Sequence, residues 1–439
     1  MRLNKKQNYI FLLGFFVIIG ATLLLYYSNR PRNLNVILIT IDALRPDHLG
    51  CYGYKRNTSP NIDKLAKEGI IFTQAISQSC WTWPSIHSLI TSTYPSTHGV
   101  YFWDQELPNS IPALTQILKE KDYYTGFISG HGGLSNFKRG FNFFQDISGM
   151  KAEEITRKAI SLIGKNKNRR FFLWLHYMET HSKSYCSLPI EGRSEKDMSM
   201  KEIRDYCLKY DAAISKVDNQ LKTLLEKLRD FKIYKNSFIF ITSDHGEEMG
   251  EHLWYFTHGG VLWDSLLKVP LILSCPVLFK NGRTINQQVR HIDIVPTILG
   301  ILKIKKDNSM EGRSFLPLIN NFIKNALYAF SEVKENMEDE KGNPYISNSK
   351  WNYTQFSVRG NGYKLILTLN NNGKEYALYN LKTDPKELNN CVNVEKRQFE
   401  LLKSKLNEWM NRPKPNMASL TKPLDEETKK RLRGLGYLQ

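Results

Sequence analysis

Three side chains with metal-binding chemistry share one loop that follows a strongly apolar run of the sequence. Residues 238–241 are β-prone and predict a buried strand. Asp244 and His245 come directly after it, and His258 follows in the same loop. In open α/β sheets, ligands bind at the carboxyl ends of the strands. A carboxylate beside an imidazole at that edge offers a pair of metal ligands, so the sequence predicts a metal centre here.

Two further reactive side chains stand at the ends of other predicted elements. The apolar run 35–41 ends at Asp42, and its unbroken apolar character is typical of a central parallel strand. Thr82 precedes Pro84, which fits the first turn of a helix. The free amides and positive dipole end of a helix N-terminus can bind a tetrahedral anion. Alone, Asp42 could be a turn residue and Thr82 a helix cap, so the combination carries the prediction.

Strands and helices alternate along the chain up to about residue 325. This order predicts an α/β fold with a mainly parallel central sheet and helices on both faces. Beyond it, residues 357–381 predict antiparallel strands joined by an Asn/Gly turn, followed by a helix over 394–409. We therefore predict a main domain over residues 33–325, which carries the candidate site. A smaller C-terminal subdomain covers residues 326–439.

An apolar segment without charged side chains precedes the main domain, over residues 9–27. About 20 apolar residues span a bilayer, and a signal peptide has a shorter apolar core. We predict an uncleaved membrane anchor over residues 1–30 that spans the bilayer once, with cleavage as the alternative. Arg2, Lys5 and Lys6 before the segment outnumber Arg30 and Arg32 after it, which favours a main domain outside the cytoplasm, in a periplasmic, extracellular or lumenal space.

The formal net charge of +18 at pH 7 favours an anionic partner, such as an acidic ester on a glycan, a lipid or a small molecule. A solvated, lysine-rich surface is the alternative explanation. The positive charge is spread along the chain without a nucleic-acid-binding motif, so no nucleic-acid partner is predicted. Six cysteines without a C-x-x-C pair give no support to a cysteine-based zinc site. The oligomeric state is left open.

Several segments, in their order and spacing, resemble the sulfatase family of the alkaline phosphatase superfamily. These segments are NVILITIDALRPDHLGCYGY, WPSIHSLITSTYPSTHG, FFLWLHYMETH, FITSDHGEEMGEH, HIDIVPTILG, EGRSFLPLI, SVRGNGYKLIL and LYNLKTDPKELNN. The resemblance implies an alkaline-phosphatase-like fold, an ester hydrolase and one divalent metal ion. Asp42, Asp244 and His245 match the family's metal-ligand positions. Thr82 matches the nucleophile, which also contacts the metal.

Four positions depart from the usual sulfatase pattern. Usual sulfatases carry Cys or Ser as the nucleophile, modified to formylglycine, with Arg four residues later. Thr82 and Ile86 stand at these positions here, and threonine cannot form that aldehyde. Ala43 stands where many sulfatases have a ligating Asp, and His245 replaces their usual Asn. Because an oxygen ligand is lost and a nitrogen gained, zinc or manganese is favoured, with calcium or magnesium as alternatives.

The metal-ligand set and the threonine also resemble membrane-anchored phosphoethanolamine and phosphoglycerol transferases. The resemblance extends to the segments LHYMETH and DHGEEMGEHLWYFTHG. It implies that His181, His258 and His176 hold the substrate. His131, in the segment SGHGG, lies near a basic position of the family and is a further candidate for substrate contact.

The predicted chemistry is the attack of Thr82 on the sulfur or phosphorus of an ester, which gives a covalent intermediate. The metal would make the hydroxyl reactive, and His258 or His181 would protonate the leaving oxygen. The arrangement of segments favours a sulfatase-family hydrolase of sulfate or phosphate esters. The threonine favours a transferase or phosphodiesterase. Ile86 and Ala43, which replace the usual Arg and ligating Asp, favour a third function, a non-catalytic anchored binding protein.

Overall fold

The computed structural model describes residues 34–185, 193–194, 198–252, 254–279, 282–322, 327–334, 353–414, 420–421, 426 and 429–430. The predicted anchor, residues 1–30, and the predicted boundary between residues 325 and 326 lie outside these ranges. Within them, no helix combines the length and apolar character that crossing a membrane requires.

A nine-stranded sheet forms the centre of the fold. The strands of the described residues are β1 (Asn35–Ile41), β2 (Ile70–Ile76), β3 (Gln105–Glu106), β4 (Tyr124–Ser129), β5 (Phe143–Asp146), β6 (Phe171–Tyr177), β7 (Arg193–Ser194), β8 (Ser237–Thr242), β9 (Glu248–Met249), β10 (Trp254–Thr257), β11 (Lys268–Ser274), β12 (Arg283–Ile285), β13 (Val289–Arg290), β14 (Ala329–Lys334), β15 (Tyr353–Gly360), β16 (Tyr363–Asn370), β17 (Gly373–Asn380) and β18 (Leu420–Thr421). The central order is β12-β2-β11-β8-β1-β6-β4-β5, with β13 beside β2.

The central sheet is mostly parallel, as the alternating elements predict. The exception is β11, which runs antiparallel to both β2 and β8. A parallel neighbour of β8 would need a crossover connection over one face of the sheet. The loop after β8, residues 243–267, instead returns directly into β11 at the same edge, so β11 runs the opposite way.

Helices cover both faces of this sheet, as predicted. The helices are α1 (Pro60–Glu68), α2 (Thr82–Thr91), α3 (Pro95–His98), α4 (Leu114–Lys119), α5 (Ala152–Asn166), α6 (Ser182–Tyr185), α7 (Met200–Asp230), α8 (Asp264–Leu267), α9 (Ile294–Leu302), α10 (Leu316–Ile319) and α11 (Lys396–Met410). Val36 and Leu38 of β1 belong to a core layer with α2 and α9. Ile37 and Ile39 belong to the other, with α1, α5 and α7. This alternation along one buried strand follows from the two-residue period of β structure.

One helix is longer and one sheet is larger than the sequence predicts. The apolar period of residues 211–228 predicts a helix, but α7 already begins at Met200, because Ser199 and Glu202 form a capping box ahead of that period. The C-terminal subdomain has the predicted antiparallel strands β15, β16 and β17, but β14 adds a fourth strand that the sequence reading left out.

A buried charge network ties the C-terminal sheet to the main domain. Lys364 of β16 lies 3.0 Å from Asp264 and 2.9 Å from Glu387. Arg359 of β15 contacts the other oxygen of Asp264 at 2.9 Å. The Lys364 side chain is fully buried. The Lys364 ammonium group and the Arg359 guanidinium group therefore balance the charges of two buried carboxylates, Asp264 and Glu387.

Replacing Lys364 by methionine should lower the free energy of unfolding by about 3–5 kcal/mol, because buried carboxylates lose their cation. Urea unfolding at neutral pH measures this loss. Lys382→Met removes the same charge from an exposed side chain of the same subdomain and should change stability by less than about 0.5 kcal/mol. Equal effects of the two changes would contradict the role given to the network.

Candidate active site

The two carboxylates Asp42 and Asp244 follow neighbouring parallel strands and meet at one sheet edge. Thr40 of β1 pairs with Thr242 of β8, so the residues two positions further along each chain stand at the same level. Both carboxylates are fully buried. The convergence expected from the sequence is therefore present.

His176 of β6 completes a compact group with these carboxylates. Its register partner on β1 is Thr40, so its ring lies beside the end of that strand. One ligand atom each from Asp42, His176 and Asp244 can be chosen so that all three lie within 4.8 Å of one another. Asp42 Oδ1, Asp244 Oδ2 and His176 Nε2 are buried and have no hydrogen-bond partner among the described residues. Buried polar atoms normally have a partner, so these three fit a bound cation.

The charges of this group also fit a cation. Burial raises the pKa of Asp42 well above its usual range, and the charge of Asp244 raises it further. Burial acts in the same direction on Asp244, but the neighbouring His245 and His176, together with hydrogen bonds from the backbone N–H groups of His245 and Ala43, outweigh it and lower the pKa of Asp244 to about 2. Two adjacent buried carboxylates repel each other, and a divalent cation between them would keep both charged.

The hydroxyl of Thr40 orients the ring of His176. It lies 2.7 Å from His176 Nδ1, accepts from the Trp174 indole and can donate to the Leu175 carbonyl. When Thr40 donates to Leu175, Nδ1 carries the ring proton and Nε2 has a lone pair 3.4 Å from Asp42 Oδ2. Two acceptors facing each other are expected in a metal site.

Thr82 is the first residue of α2 and lies beside this group. Its Oγ1 is 3.4 Å from Asp42 Oδ2 and 3.3 Å from His245 Nε2. Ser85, one turn further along α2, donates a hydrogen bond to the carbonyl of Asp244, and Ser77 donates to the same oxygen. These bonds fix the start of the helix against the loop after β8.

The loop after β8 brings a second group of side chains to the site. His258 Nδ1 lies 3.1 Å from Glu247 Oε1. The ring of His258 is 4.5 Å from that of His245 and 4.9 Å from that of His181. Burial raises the pKa of Glu247 to about 8. The structure thus brings His181, His245 and His258 together.

His131 approaches the site from the side of β4. Its ring lies 4.6 Å from that of Trp83 and 6.2 Å from that of His176. Burial is the main cause that lowers the pKa of His131 to about 3, so its imidazole is neutral at neutral pH. All of the residues predicted for the site therefore lie in one region.

A buried arginine holds the loop that carries these groups. Arg45 donates to the backbone carbonyl of Glu247 at 2.8 Å and to the Glu251 carboxylate at 2.7 Å. Gly246 packs so closely that a Cβ atom there would meet the carbonyl oxygen of Ser265 at 2.0 Å. The loop conformation therefore requires glycine at this position.

Glu247 is the site residue that the sequence reading missed. It is fully buried, its Oε1 contacts His258, and its Oε2 has no hydrogen-bond partner in the described part of the chain. A glutamate in a polar loop is by default a solvated side chain. The available signal was its place two residues after His245.

Family models match most of the described chain. The Sulfatase model matches residues 34–304, and the model of the N-sulphoglucosamine sulphohydrolase C-terminal region matches residues 250–415. An ulvan-active sulfatase of Formosa agariphila is 25% identical over 342 residues, 67% of this chain and 66% of its own length. An arylsulfatase of Clostridium perfringens is 23% identical over 455 residues, 82% of this chain and 90% of its own.

Solved structures show the same fold. A 2-O GAG sulfatase superposes with a TM-score of 0.74 at 19% identity, covering 89% of this chain and 96% of its own. The phosphonate monoester hydrolase of Agrobacterium radiobacter superposes with a TM-score of 0.71 at 18% identity, covering 86% and 95%. These matches give no support to the transferase alternative. The extent of the family match establishes that the chain belongs to the sulfatase family, whose members hydrolyse esters.

Proposed function

We propose that the protein is a metal-dependent hydrolase of sulfate or phosphate esters that uses the hydroxyl of Thr82 as its nucleophile. The observation that carries this proposal is the position of Thr82 Oγ1, within 3.4 Å of both Asp42 Oδ2 and His245 Nε2. Membership of the sulfatase family supports an enzyme over the non-catalytic binding protein.

Asp42, Asp244, His176 and His245 would hold one divalent metal ion. Two carboxylates with imidazoles favour zinc or manganese over calcium, which prefers oxygen ligands. His245 donates from Nδ1 to the carbonyl of Gly246 at 2.7 Å, which leaves the lone pair of its Nε2 on the side of Thr82. When bound, such an ion makes a hydroxyl more acidic and offsets negative charge on the ester oxygens.

The reaction proposed for these side chains has two displacements. In the first, Thr82 Oγ1 forms a bond to sulfur or phosphorus as the bond to the leaving oxygen breaks. The hydroxyl proton has an acceptor in reach, Asp42 Oδ2. In the second, water attacks the same sulfur or phosphorus and gives a proton to His258, and the bond to Thr82 Oγ1 breaks as this oxygen takes back the proton held by Asp42.

His258 is the proposed proton donor to the leaving oxygen. A proton shared between its Nδ1 and Glu247 Oε1, which are 3.1 Å apart, orients the ring and leaves Nε2 to exchange protons. His181 lies edge-on to His258 and is the alternative donor. His131 would border the substrate, because it packs against Trp83, the neighbour of the nucleophile.

The proposed substrate is an anionic ester on a glycan. The ulvan-active sulfatase of Formosa agariphila is named for a polysaccharide, and a solved structural neighbour is titled a GAG sulfatase. The net charge of +18 supports an anionic partner. We also infer that residues 9–27 anchor the protein in a membrane and place its catalytic domain outside the cytoplasm, because the segment is uncharged and long enough to span a bilayer.

Replacing Thr82 by alanine should lower kcat/KM for an aryl sulfate or aryl phosphate by about 1,000-fold or more, because no other hydroxyl replaces the nucleophile. Thr82→Ser keeps a hydroxyl and should retain measurable turnover. Thr91→Ala makes the same change at the last residue of α2 and should leave kcat within about threefold. Turnover by Thr82→Ala within about tenfold of the wild type would refute the assignment.

Replacing Asp42 by asparagine should have opposite effects on stability with and without metal. Without metal, the variant should unfold at a higher temperature than the wild type, because the repulsion from Asp244 is gone. With zinc or manganese at 100 times its dissociation constant, the wild type should gain about 3 kcal/mol and the variant much less.

Thermal unfolding with and without chelator, combined with metal analysis of the protein, measures both effects. Asp230→Asn provides the control, since this exposed carboxylate contacts only Lys227 among the ion pairs of the described residues. An equal gain in stability from metal in all three proteins would place the ion elsewhere.

Replacing Glu247 by alanine should slow the release of poor leaving groups more than that of good ones, because His258 loses the partner that orients it. For alkyl esters kcat should fall by about 100-fold, and for nitrophenyl esters by much less. Glu247→Gln keeps an oxygen atom next to Nδ1 of His258. Its kcat for alkyl esters should lie between the values of the wild type and of Glu247→Ala.

The neighbouring pair Glu248 and His252 makes the same kind of contact, also at 3.1 Å. Glu248→Ala is therefore the matched control and should not change the dependence on the leaving group. A uniform loss of activity across all esters in Glu247→Ala would assign Glu247 to the stability of the loop instead.

A further inference from the structure

Three loops that lead into β4, β6 and β8 form a strongly cationic edge of the protein. These loops are residues 119–123, 165–170 and 229–236, and we call them the amino edge because they precede the amino ends of their strands. Together they contain nine lysine or arginine residues and three acidic residues. Eight of the nine cationic residues are exposed and Arg170 is partly buried.

Aromatic rings lie among these cations. Arg170 packs over Tyr123 at 4.9 Å, and Arg169 packs over Tyr124 at 5.1 Å. Lys167 lies 5.6 Å from the ring of Phe231, which belongs to the neighbouring loop. Arg229 and Tyr234 make a further pair at 4.3 Å. Tyrosine is one of the residues that membrane proteins place at the membrane–water interface, and cations are attracted to anionic head groups.

The amino edge lies on the opposite side of the sheet from the active site. Asp42, His131 and Asp244 all follow the carboxyl ends of parallel strands, whereas the cationic loops precede the amino ends. β1 has seven residues, so it separates the two edges by about 23 Å. The C-terminal subdomain contacts the carboxyl side, where Glu332 donates its backbone N–H to the carbonyl of Gln78.

The chain enters the fold at the amino edge. The Tyr123 hydroxyl donates to the carbonyl of Leu34 at 3.1 Å, so the first described residue lies beside the cationic loops. The uncharged segment 9–27 ends seven residues before Leu34. Seven residues span at most about 25 Å. If that segment lies in a bilayer, the amino edge cannot lie far from the bilayer surface.

We propose that the amino edge docks on the anionic lipid surface of the membrane that holds the anchor. The proposal rests on the anchor inferred above, not on the reaction assigned to the active site. Cations near an anionic bilayer are attracted to it, and each added lysine or arginine strengthens the attraction. The rings of Tyr124, Phe231 and Tyr234 are partly exposed and fit the interface between head groups and acyl chains. Tyr123, in contrast, is buried and supports the Arg170 side chain from below.

Docking by this edge turns the active site away from the bilayer. The reacting groups then lie about one strand length beyond the docked surface. Lipid head groups of the same membrane are out of their reach. The substrate class that this orientation admits is an ester on a glycan or small molecule that arrives from the aqueous side.

The test measures amide hydrogen exchange of the full-length protein in lipid nanodiscs. One set of discs contains neutral phosphatidylcholine alone, and the other also contains phosphatidylglycerol. In the anionic discs, exchange in residues 165–170 and 229–236 should slow by about tenfold, and exchange around Asp244 should not change. Salt at about 0.5 M should remove the protection, because it screens charges beyond a few ångströms.

Two sets of charge reversals test the specificity. Lys165→Glu, Lys167→Glu and Arg169→Glu together should abolish the protection of both loops. Arg229→Glu, Lys232→Glu and Lys235→Glu provide a second variant on a separate loop, in case the first does not fold.

The matched control reverses three exposed cations of the C-terminal subdomain, Lys386, Lys396 and Arg397, and should keep the protection. Equal exchange in neutral and anionic discs would overturn the proposal, as would protection of the active-site loop in place of the amino edge. Protection of the same loops by a soluble sulfated polysaccharide in neutral discs would also overturn it, since the surface would then bind glycan. If the protein did not remain with the discs, the inferred anchor would be wrong, and the docking proposal, which depends on it, would be overturned.

Discussion

The repulsion between two buried carboxylates, Asp42 and Asp244, is the main constraint on the candidate active site. Asp42 and Asp244 stand at the same level of two neighbouring strands, in a region that water does not reach. Such a pair is unfavourable unless a cation or a proton lies between its members. His176 adds a lone pair to the same space. The surrounding elements hold these groups in place despite their repulsion, which is the preorganisation that a metal centre needs.

The fold supplies this rigidity through the sheet rather than through the loops alone. β1, β6 and β8 are central strands with a helix layer on each face, so the backbone at their ends is fixed by hydrogen bonds and packing. The loop after β8 is held by Arg45 and by the close contact at Gly246. The helix that begins at Thr82 is held by hydrogen bonds to the Asp244 carbonyl. A shift of any of these elements would therefore move Asp42, Asp244 or Thr82 directly.

Much of this arrangement follows from the sequence, because parallel strands deliver their following residues to a common edge. That rule places Asp42 and Asp244 together without knowledge of the structure. It does not place His176, whose distance from Asp42 depends on the register between β1 and β6. An alternating apolar pattern would fix this register, but β1 and β6 are buried at every position and are apolar along nearly their whole length.

The direction of β11 and the role of Glu247 were out of reach for related reasons. A short apolar run such as β11 looks the same whether the strand runs parallel or antiparallel, so only the path of the preceding loop decides. Glu247 stands in a polar segment with two further glutamates. Its burial depends on the fold of the loop around Arg45, and composition does not carry that information.

Threonine at the start of α2 has a consequence for how this protein becomes functional. In the usual sulfatases, the formylglycine nucleophile arises by modification of a cysteine or serine. The proposed nucleophile Thr82 has its hydroxyl as soon as the chain is synthesised. If Thr82 has this role, the protein needs folding and metal but no modification of the nucleophile, so an active protein should be obtained from hosts that cannot make formylglycine.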